Sequence, residues 1–256
     1  MKLCRTNADW RALRNTLGDR TLGLVPTMGA LHAGHLSLVQ RSQRENAATV
    51  VSIFVNPTQF DQADDLDRYP RKTELDLALL QDAAVDAVFI PSCDEIYPDG
   101  FHYRVNESEL SLRLCGAHRP GHFDGVLTVV MKLLNIVQPT RVYFGEKDYQ
   151  QLLLVRGMAQ AFFMDVDVVA CPVVREPDGL AMSSRNQNLD TAQRQLAPSL
   201  HQVLCESTDT ENAQTRLQQL GFDVDYVEDF KGRRLAAVQI GGTRLIDNVV
   251  IKEQAS

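Results

Sequence analysis

The stretch from residue 22 to residue 38, LGLVPTMGALHAGHLSL, limits what this chain can fold into more than any other part of it. The apolar run at residues 22–25 predicts a buried strand, and Pro26 predicts the start of a turn. A helix is expected to begin near Gly34, with the apolar residues that follow it facing the core. A strand, a turn and a helix in this order form the repeating unit of a parallel α/β fold.

Two histidines, His32 and His35, lie between the predicted strand and the predicted helix. Their spacing puts both rings on one side of the first helical turn. Gly34 lets a ligand approach the backbone, and the start of a helix offers unpaired N–H groups to a phosphate. Imidazole donors can stabilise charge that develops on phosphate oxygens. These residues predict a nucleotide-phosphate site; the alternative is a histidine pair that only caps the helix or binds a metal.

Further apolar runs separated by helical segments bring the chain to about five β-α alternations, which indicates a parallel sheet. The fold class is therefore expected to be α/β, with a Rossmann-like parallel sheet domain over residues 1–175. Prolines and a Pro-Asp-Gly turn then mark a change in composition, and the rest predicts a smaller α+β lid domain over residues 176–256. The predicted strands after the first cover residues 49–55, 87–90, 141–144 and 166–170.

Two of the predicted helices carry specific expectations about capping and burial. The first covers residues 7–17 and is expected to be capped by Asn7. The second is expected to start at Pro70 and to continue to about residue 84, with Leu75, Leu77, Leu79 and Leu80 in its buried stripe.

Composition excludes several classes of protein. The formal charge of −7, from 26 basic and 33 acidic residues, argues against binding to nucleic acid or to an anionic membrane, so small substrates are expected. Five scattered cysteines without C-x-x-C spacing indicate neither a disulfide framework nor a zinc site. No signal peptide or membrane-spanning run is apparent, and a cytoplasmic protein is expected.

Polar residues follow several predicted strands, where open α/β sheets bind ligands. Lys147 is placed to reach the same phosphates as the histidines, and Asp148 to accept ribose hydroxyl bonds or, alternatively, to cap a helix. Gln59 and Gln151 are neutral groups suited to orienting hydroxyls and carboxylates; the alternative is a pair of exposed amides.

The small domain and one predicted helix supply the remaining candidates. Ser183, Ser184 and Arg185 on a loop suit the outer phosphates of a nucleoside triphosphate as a lid closes, although an arginine in a polar loop is commonly only solvated. The Mg²⁺ ligands are not identified from the sequence. Asp76, with Glu74, is a weak candidate, because acidic residues in a first helical turn usually only favour the helix dipole.

With these residues collected, the chain resembles the pantothenate synthetase (pantoate–β-alanine ligase) family of the nucleotidyltransferase superfamily. The His-x-Gly-His unit alone would identify only the superfamily, whereas the asparagine-proline and glycine-glutamate-lysine segments are far more specific. The matching segments, in the order of the family, are residues 26–35, 54–60, 119–127, 145–151, 182–186 and 243–248.

The resemblance implies ATP-dependent condensation of pantoate with β-alanine through a pantoyl adenylate, with release of pyrophosphate and AMP. It implies that the substrates are pantoate, β-alanine and ATP, that Mg²⁺ assists, and that the protein is a homodimer. The catalytic residues it implies are His32, His35, Lys147 and Arg185. Those implied to bind pantoate are Gln59, Gln151, Met28, Thr27 and Asn56. Those implied to bind ATP are Met28, Gly34, Gly145, Glu146, Lys147, Asp148, Val174, Met182, Ser183, Ser184 and Arg185.

Two other functions share these features. A nucleotidylyltransferase that joins ATP or CTP to a phosphorylated substrate would keep the histidine site but release no AMP. A catalytically silent nucleotide-binding or regulatory protein could use the same fold. An AMP-release assay distinguishes the three.

Overall fold

The computed structural model describes residues 1–61 and 63–251 of the chain. Contacts group the chain into two compact units. The first consists of Met1–Glu146 and Gln150–Cys171, and the second of Lys147–Tyr149 with the chain from Pro172 onward. The domain boundary after residue 175 stays a prediction.

Helices and strands alternate along the chain in the first unit, whereas in the second unit the helices precede the strands. The strands are β1 Lys2–Cys4, β2 Leu22–Thr27, β3 Ala48–Ile53, β4 Ala87–Phe89, β5 Arg141–Gly145, β6 Asp167–Cys171, β7 Asp223–Phe230, β8 Arg233–Ile240 and β9 Thr243–Val250. The helices are α1 Asn7–Leu17, α2 Ala33–Glu45, α3 Ala63–Asp67, α4 Thr73–Asp82, α5 Cys93–Ile96, α6 Cys115–His118, α7 His122–Val137, α8 Tyr149–Ala161, α9 Thr191–Leu196, α10 Ser199–Glu206 and α11 Thr210–Gln219. Short 3₁₀ turns lie at Pro57–Gln59, Leu110–Leu112, Glu146–Asp148 and Ser184–Asn188.

The first unit contains a parallel sheet with the strand order β1-β4-β3-β2-β5-β6. β3 is buried at every position, because helices cover both faces of such a sheet and its strands consist of apolar and small residues. The predicted Rossmann-like α/β fold is confirmed. β1 was not predicted, since three residues are too few to show a pattern.

The neighbouring strands β2 and β5 separate toward their carboxyl ends. β2 pairs with β3 from Leu22 to Thr27, but with β5 only at Gly23 and Leu24. The chain leaves β2 toward β3 on one side, whereas β5 lies on the other, so this is a topological switch point. Ligands of open α/β sheets bind in the crevice at such a point.

The sequence predicted a turn at Pro26, and this is wrong: Pro26 lies inside β2, which continues to Thr27. Helix α2 then begins at Ala33, close to the predicted start, and buries Leu38 and Val39. Gly23 allows α2 to pack closely on β2, because a Cβ at this position would lie 2.0 Å from the Ser42 Oγ.

The second unit has an antiparallel sheet in the order β7-β8-β9. Leucines of α10 and α11, among them Leu200, Leu204 and Leu217, form its core with apolar residues of the sheet. The predicted smaller α+β domain is confirmed, while its role as a lid stays a prediction.

One local prediction about the helices is wrong, and another is confirmed only in part. Thr6 caps α1, since its side chain accepts the Asp9 N–H, while Asn7 donates to Glu95 instead. Helix α4 begins at Thr73 and not at Pro70. Of its four predicted core leucines, Leu80 is buried and Leu77 packs against the core, whereas Leu75 and Leu79 are 62% and 37% exposed because the inward face of α4 carries Asp76 and Leu80.

None of the helices within residues 1–61 and 63–251 has both the length and the hydrophobicity needed to cross a membrane.

Candidate active site

His32 and His35 cap the helix that follows them. The Nδ1 of His32 accepts the Gly34 N–H at 3.1 Å, and the Nδ1 of His35 accepts the His32 N–H at 3.3 Å. The two ring centroids lie 4.1 Å apart. The two histidines therefore do cap the helix. Capping uses only their Nδ1 atoms, so it does not compete with ligand binding by the other ring nitrogens.

Capping fixes the protonation pattern of the two rings. A ring nitrogen that accepts an N–H carries no proton, so in the neutral ring the proton lies on Nε2. Each histidine thus has a donor on the side of the ring away from its capping bond. Both rings lie at the start of α2, where backbone N–H groups already favour an anion.

Asp76 holds the loop that leads to these histidines. Its Oδ2 accepts the Ala30 N–H at 2.9 Å, and its Oδ1 accepts the Leu31 N–H at 2.8 Å. Gly29 and Ala30 have φ values of 84° and 51°, a left-handed conformation that is costly for alanine. The buried carboxylate compensates for this cost and fixes the backbone just before His32.

Asn56 organises the polar segment that follows β3. Its Oδ1 accepts the Tyr97 hydroxyl at 2.7 Å and the Thr58 hydroxyl at 2.9 Å, while its Nδ2 donates to Gln59 Oε1 and to the Gly125 carbonyl. Burial raises the pKa of Tyr97, so its hydroxyl remains a donor. Asn56 is 1% exposed, and these bonds suit a residue that positions Gln59.

The side chain of Gln59 is fixed from two directions. Its Oε1 accepts from Asn56, and its Nε2 donates to the Met28 sulfur at 3.0 Å. Thr27, at the end of β2, donates to the Ser52 carbonyl and accepts the Gly29 N–H. The predicted pantoate residues Met28, Asn56 and Gln59 are therefore joined by hydrogen bonds in the first unit, and Thr27 directly precedes Met28 in the chain.

His122 of α7 and Arg119 of the preceding turn hold the backbone carbonyl of Gln59. The Gln59 carbonyl lies 2.7 Å from the His122 Nδ1 and accepts from Arg119 at 3.3 Å. Arg119 also donates to Asp61 at 2.8 Å. Burial raises the pKa of Asp61, but the hydrogen bond and the charge of Arg119 outweigh this effect and lower it overall.

The end of β5 and the start of α8 contain the other candidates of the first unit. Gly145 is the last residue of β5, and Glu146 begins the next turn. Gln151 is half-buried in the first turn of α8. Its neighbour Gln150, which sequence reasoning missed, is buried and bonds to the backbone of Leu110, Arg113 and Cys115.

Lys147 and Asp148 group with the second unit. Both are half-buried in the turn before α8. The Lys147 carbonyl accepts the Asn248 side-chain amide at 3.2 Å, and the Arg233 guanidinium lies over the Tyr149 ring at 4.7 Å.

The remaining ATP candidates lie on consecutive segments of the second unit. The Met182 N–H donates to the Val174 carbonyl, and the Ser183 Oγ accepts the Arg185 N–H at 3.2 Å. Ser184 and Arg185 begin a 3₁₀ turn. Asn186 secures this turn by donating to Glu176 and to the Ala181 carbonyl.

Metal binding has little support from the side chains. Within the described ranges, no cluster of three His, Cys, Asp or Glu residues could hold a metal ion. Both oxygens of Asp76 accept backbone N–H groups. A role for Asp76 as a metal ligand stays a prediction.

The family model of pantoate-β-alanine ligase matches residues 2–250. The chain belongs to the pantoate–β-alanine ligase family. The resemblance stated from the sequence is confirmed, and so is the predicted enzyme class, a ligase.

Relatives in this family match almost the whole chain. The pantothenate synthetase of Legionella pneumophila is 50% identical over 252 residues, which are 98% of this chain and 100% of that protein. The pantothenate synthetase of Bdellovibrio bacteriovorus is 49% identical and covers 98% of this chain and 99% of its own length.

Solved structures of the family have the same fold. The pantoate-β-alanine ligase of Francisella tularensis, solved in complex with β,γ ATP and β-alanine, has a TM-score of 0.93 at 39% identity and covers 98% of this chain and 97% of its own. The pantothenate synthetase of Thermus thermophilus has a TM-score of 0.91 at 43% identity, covering 98% and 99%.

Proposed function

We propose that this chain condenses pantoate with β-alanine in an ATP-dependent reaction that passes through pantoyl adenylate and releases pyrophosphate and AMP. The observation that carries the proposal is the capped pair His32 and His35 at the start of α2, directly after the strand that separates from β5. The Francisella tularensis relative with β,γ ATP and β-alanine bound supports the choice of two substrates.

In the first step a pantoate carboxylate oxygen attacks the α-phosphorus of ATP, and the bond to pyrophosphate breaks. Negative charge gathers on the phosphate oxygens during this step. The Nε2–H groups of His32 and His35, together with Lys147 and Arg185, donate hydrogen bonds and positive charge to those oxygens. The chain supplies no covalent nucleophile for this step, because the substrate carboxylate is the attacking group.

Pantoate is held by Gln59 and Gln151, with Met28, Thr27 and Asn56 around them. The hydrogen bonds that join Met28, Gln59 and Asn56 support this assignment, since amides held in fixed orientations recognise hydroxyls and a carboxylate. Asn56 acts through Gln59.

ATP is held by the residues that the family resemblance implies. Gly34 and Asp148 contact the ribose, and Ser183, Ser184 and Arg185 contact the outer phosphates. The other ATP-binding residues of the proposal are Met28, Gly145, Glu146, Lys147, Val174 and Met182.

In the second step the amine of β-alanine attacks the acyl carbon of the adenylate. The amide C–N bond forms, the bond to AMP breaks, and the amine loses its proton. Exclusion of water protects the adenylate from hydrolysis during this step.

Mg²⁺ is proposed to enter as its complex with ATP. Mg²⁺ commonly binds through substrate phosphates with few protein carboxylates, which fits a chain whose described residues form no metal-binding cluster. The ion neutralises triphosphate charge. Chelation with EDTA is expected to stop AMP formation, and excess Mg²⁺ to restore it.

A homodimer in the cytoplasm is proposed from the family resemblance and from cysteines without disulfide spacing. Sedimentation equilibrium measures the mass of the assembly, and a monomer mass at micromolar concentration would contradict the dimer.

The reaction is tested by incubating the protein with ATP, pantoate and β-alanine while AMP and pantothenate are measured. Equal amounts of both products are expected, and neither without pantoate. Release of pyrophosphate without AMP in the presence of a phosphorylated substrate would indicate the nucleotidylyltransferase, and binding of ATP without turnover would indicate a silent protein.

A further inference from the structure

The segment TRLIDN at residues 243–248 has no role in the proposed reaction, although it is one of the segments that carry the family resemblance. In the structure it lies on β9, where Asp247 and Asn248 are 3% and 2% exposed. Two successive polar residues on a strand point to opposite faces. Because both are buried, each must be held by specific partners.

Asn248 connects β9 to the turn that carries Lys147. Its Nδ2 donates to the Lys147 carbonyl at 3.2 Å, and its Oδ1 accepts from Arg233 at 2.8 Å. The guanidinium of Arg233 also stacks on the Tyr149 ring at 4.7 Å. The segment Lys147–Tyr149 is therefore held at both of its ends.

Asp247 fixes the position of Asn248. Arg175 donates to both Asp247 oxygens, at 2.6 and 2.9 Å, and to the Asn248 carbonyl at 3.3 Å. The Asn248 N–H donates to Asp247 at 2.7 Å. Two-pronged pairs of this kind are geometrically specific, so the backbone that carries the Asn248 side chain is held in place.

We propose that Asn248 is a positioning residue for Lys147, acting through the backbone carbonyl of the lysine. This inference depends on the proposed role of Lys147 in adenylate formation. A lysine side chain is a flexible stem, and the direction in which it leaves the backbone decides where its ammonium group is found most often. A fixed carbonyl fixes that direction, and small errors in the placement of a charged group cost much of its effect on the transition state.

The test measures pantoate-dependent exchange of pyrophosphate into ATP in Asn248→Ala, in Lys147→Ala and in the double variant. Asn248→Ala is expected to lower kcat by about 100-fold with KM values for ATP and pantoate within about twofold, since groups that act only in the transition state affect kcat. In the Lys147→Ala background, Asn248→Ala is expected to cause no further loss, because residues that act as a unit are not additive.

Two further variants separate positioning from folding. Asn248→Asp keeps the acceptor for Arg233 but removes the donor to Lys147, so it carries the same test if Asn248→Ala does not fold by far-UV circular dichroism. Gln239→Ala, an exposed amide on β8 that bonds only to Asp225 at 3.2 Å among the described residues, is the matched control and should keep normal kcat.

The outcomes distinguish this inference from the proposed function. If both single variants lose activity and their losses multiply in the double variant, Asn248 acts independently of Lys147 and the inference is wrong. If Lys147→Ala itself retains near-normal exchange, the proposed role of Lys147 is wrong, and the inference fails with it. A loss in Asn248→Ala that disappears in the Lys147→Ala background supports both.

Discussion

At the scale of single residues, the groups proposed to contact substrate are held by neighbours that bind no substrate themselves. Gly125 shows this most simply. Its carbonyl accepts from Asn56, and a Cβ at its position would lie 2.3 Å from the Thr58 carbonyl oxygen and 2.6 Å from the Gln59 nitrogen. Only glycine allows α7 to approach the segment that carries Gln59 so closely.

Gly125→Ala is therefore expected to displace Gln59 and to raise the KM for pantoate by roughly tenfold or more, with a smaller effect on ATP. Steady-state kinetics of AMP formation measures this. The matched control is Gly157→Ala on α8, where a Cβ would meet nothing within 4 Å and where alanine favours the helix. Equal pantoate KM values in the two variants would show that Gln59 tolerates the displacement.

Asp76→Asn tests whether this buried carboxylate holds the histidine loop. The amide keeps one acceptor oxygen but turns a donor toward the other N–H group, so about 1–3 kcal/mol of stability is expected to be lost. A fall in kcat should accompany this loss because His32 follows directly. Urea unfolding and exchange kinetics measure both, with the exposed Asp82→Asn on the same helix as the control.

The metal alternative for Asp76 predicts a different result. If Asp76 binds Mg²⁺, the Asn variant should recover its kcat at high Mg²⁺ concentration while its stability stays normal. Recovery of that kind would contradict the positioning role.

Sequence patterns indicate candidate site residues more readily than the residues that support them. His32, His35 and Lys147 are candidates because they follow strands, which is a local signal. Asp76 was identified but interpreted differently, and Asn248 was assigned no role, since their partners are 45 and 101 residues away along the chain. A single sequence contains no local pattern for such contacts.

At the scale of elements, helix α1 is attached to the sheet mainly through one side chain. Trp10 is fully buried and lies 6.1 Å from the Phe89 ring of β4, while the rest of α1 is largely exposed. Trp10→Ala is expected to lower the free energy of unfolding by about 3–5 kcal/mol. Urea unfolding followed by circular dichroism measures this loss, and exposed Arg11→Ala should change stability by less than about 0.5 kcal/mol.

The elements also show where periodicity succeeds and where it fails. β3 was predicted because its segment is largely apolar and rich in β-branched residues. The buried face of α4 was predicted only in part, because Leu77 and Leu80 pack inward while Leu75 and Leu79 do not, and the inward position of Asp76 was not foreseen. A polar residue that bonds to two backbone N–H groups can occupy a buried position that an apolar pattern alone does not predict.

At the scale of the whole molecule, the reactivity of the cysteines measures whether each unit is folded. Cys93 and Cys205 are exposed, whereas Cys4, Cys115 and Cys171 are buried. Burial raises the pKa of Cys171 to about 11, so at pH 8 its thiol is almost entirely protonated and unreactive. Iodoacetamide at pH 8 is expected to label Cys93 and Cys205 in the folded protein and Cys171 only after unfolding. Peptide mass spectrometry identifies the sites, and rapid labelling of Cys171 in the folded protein would contradict its burial.

Pro26 has a consequence for the way the sheet closes. Alternate residues of a parallel strand bond to opposite neighbours, and the bonds of Leu22 to Thr140 and of Thr27 to Phe54 show that even-numbered residues of β2 face β5. The missing N–H of Pro26 is thus on the side where β5 has already separated. A proline here therefore costs no hydrogen bond in the sheet. Because it has no N–H to donate, it also prevents β2 and β5 from pairing further toward their carboxyl ends, which keeps the crevice between them open.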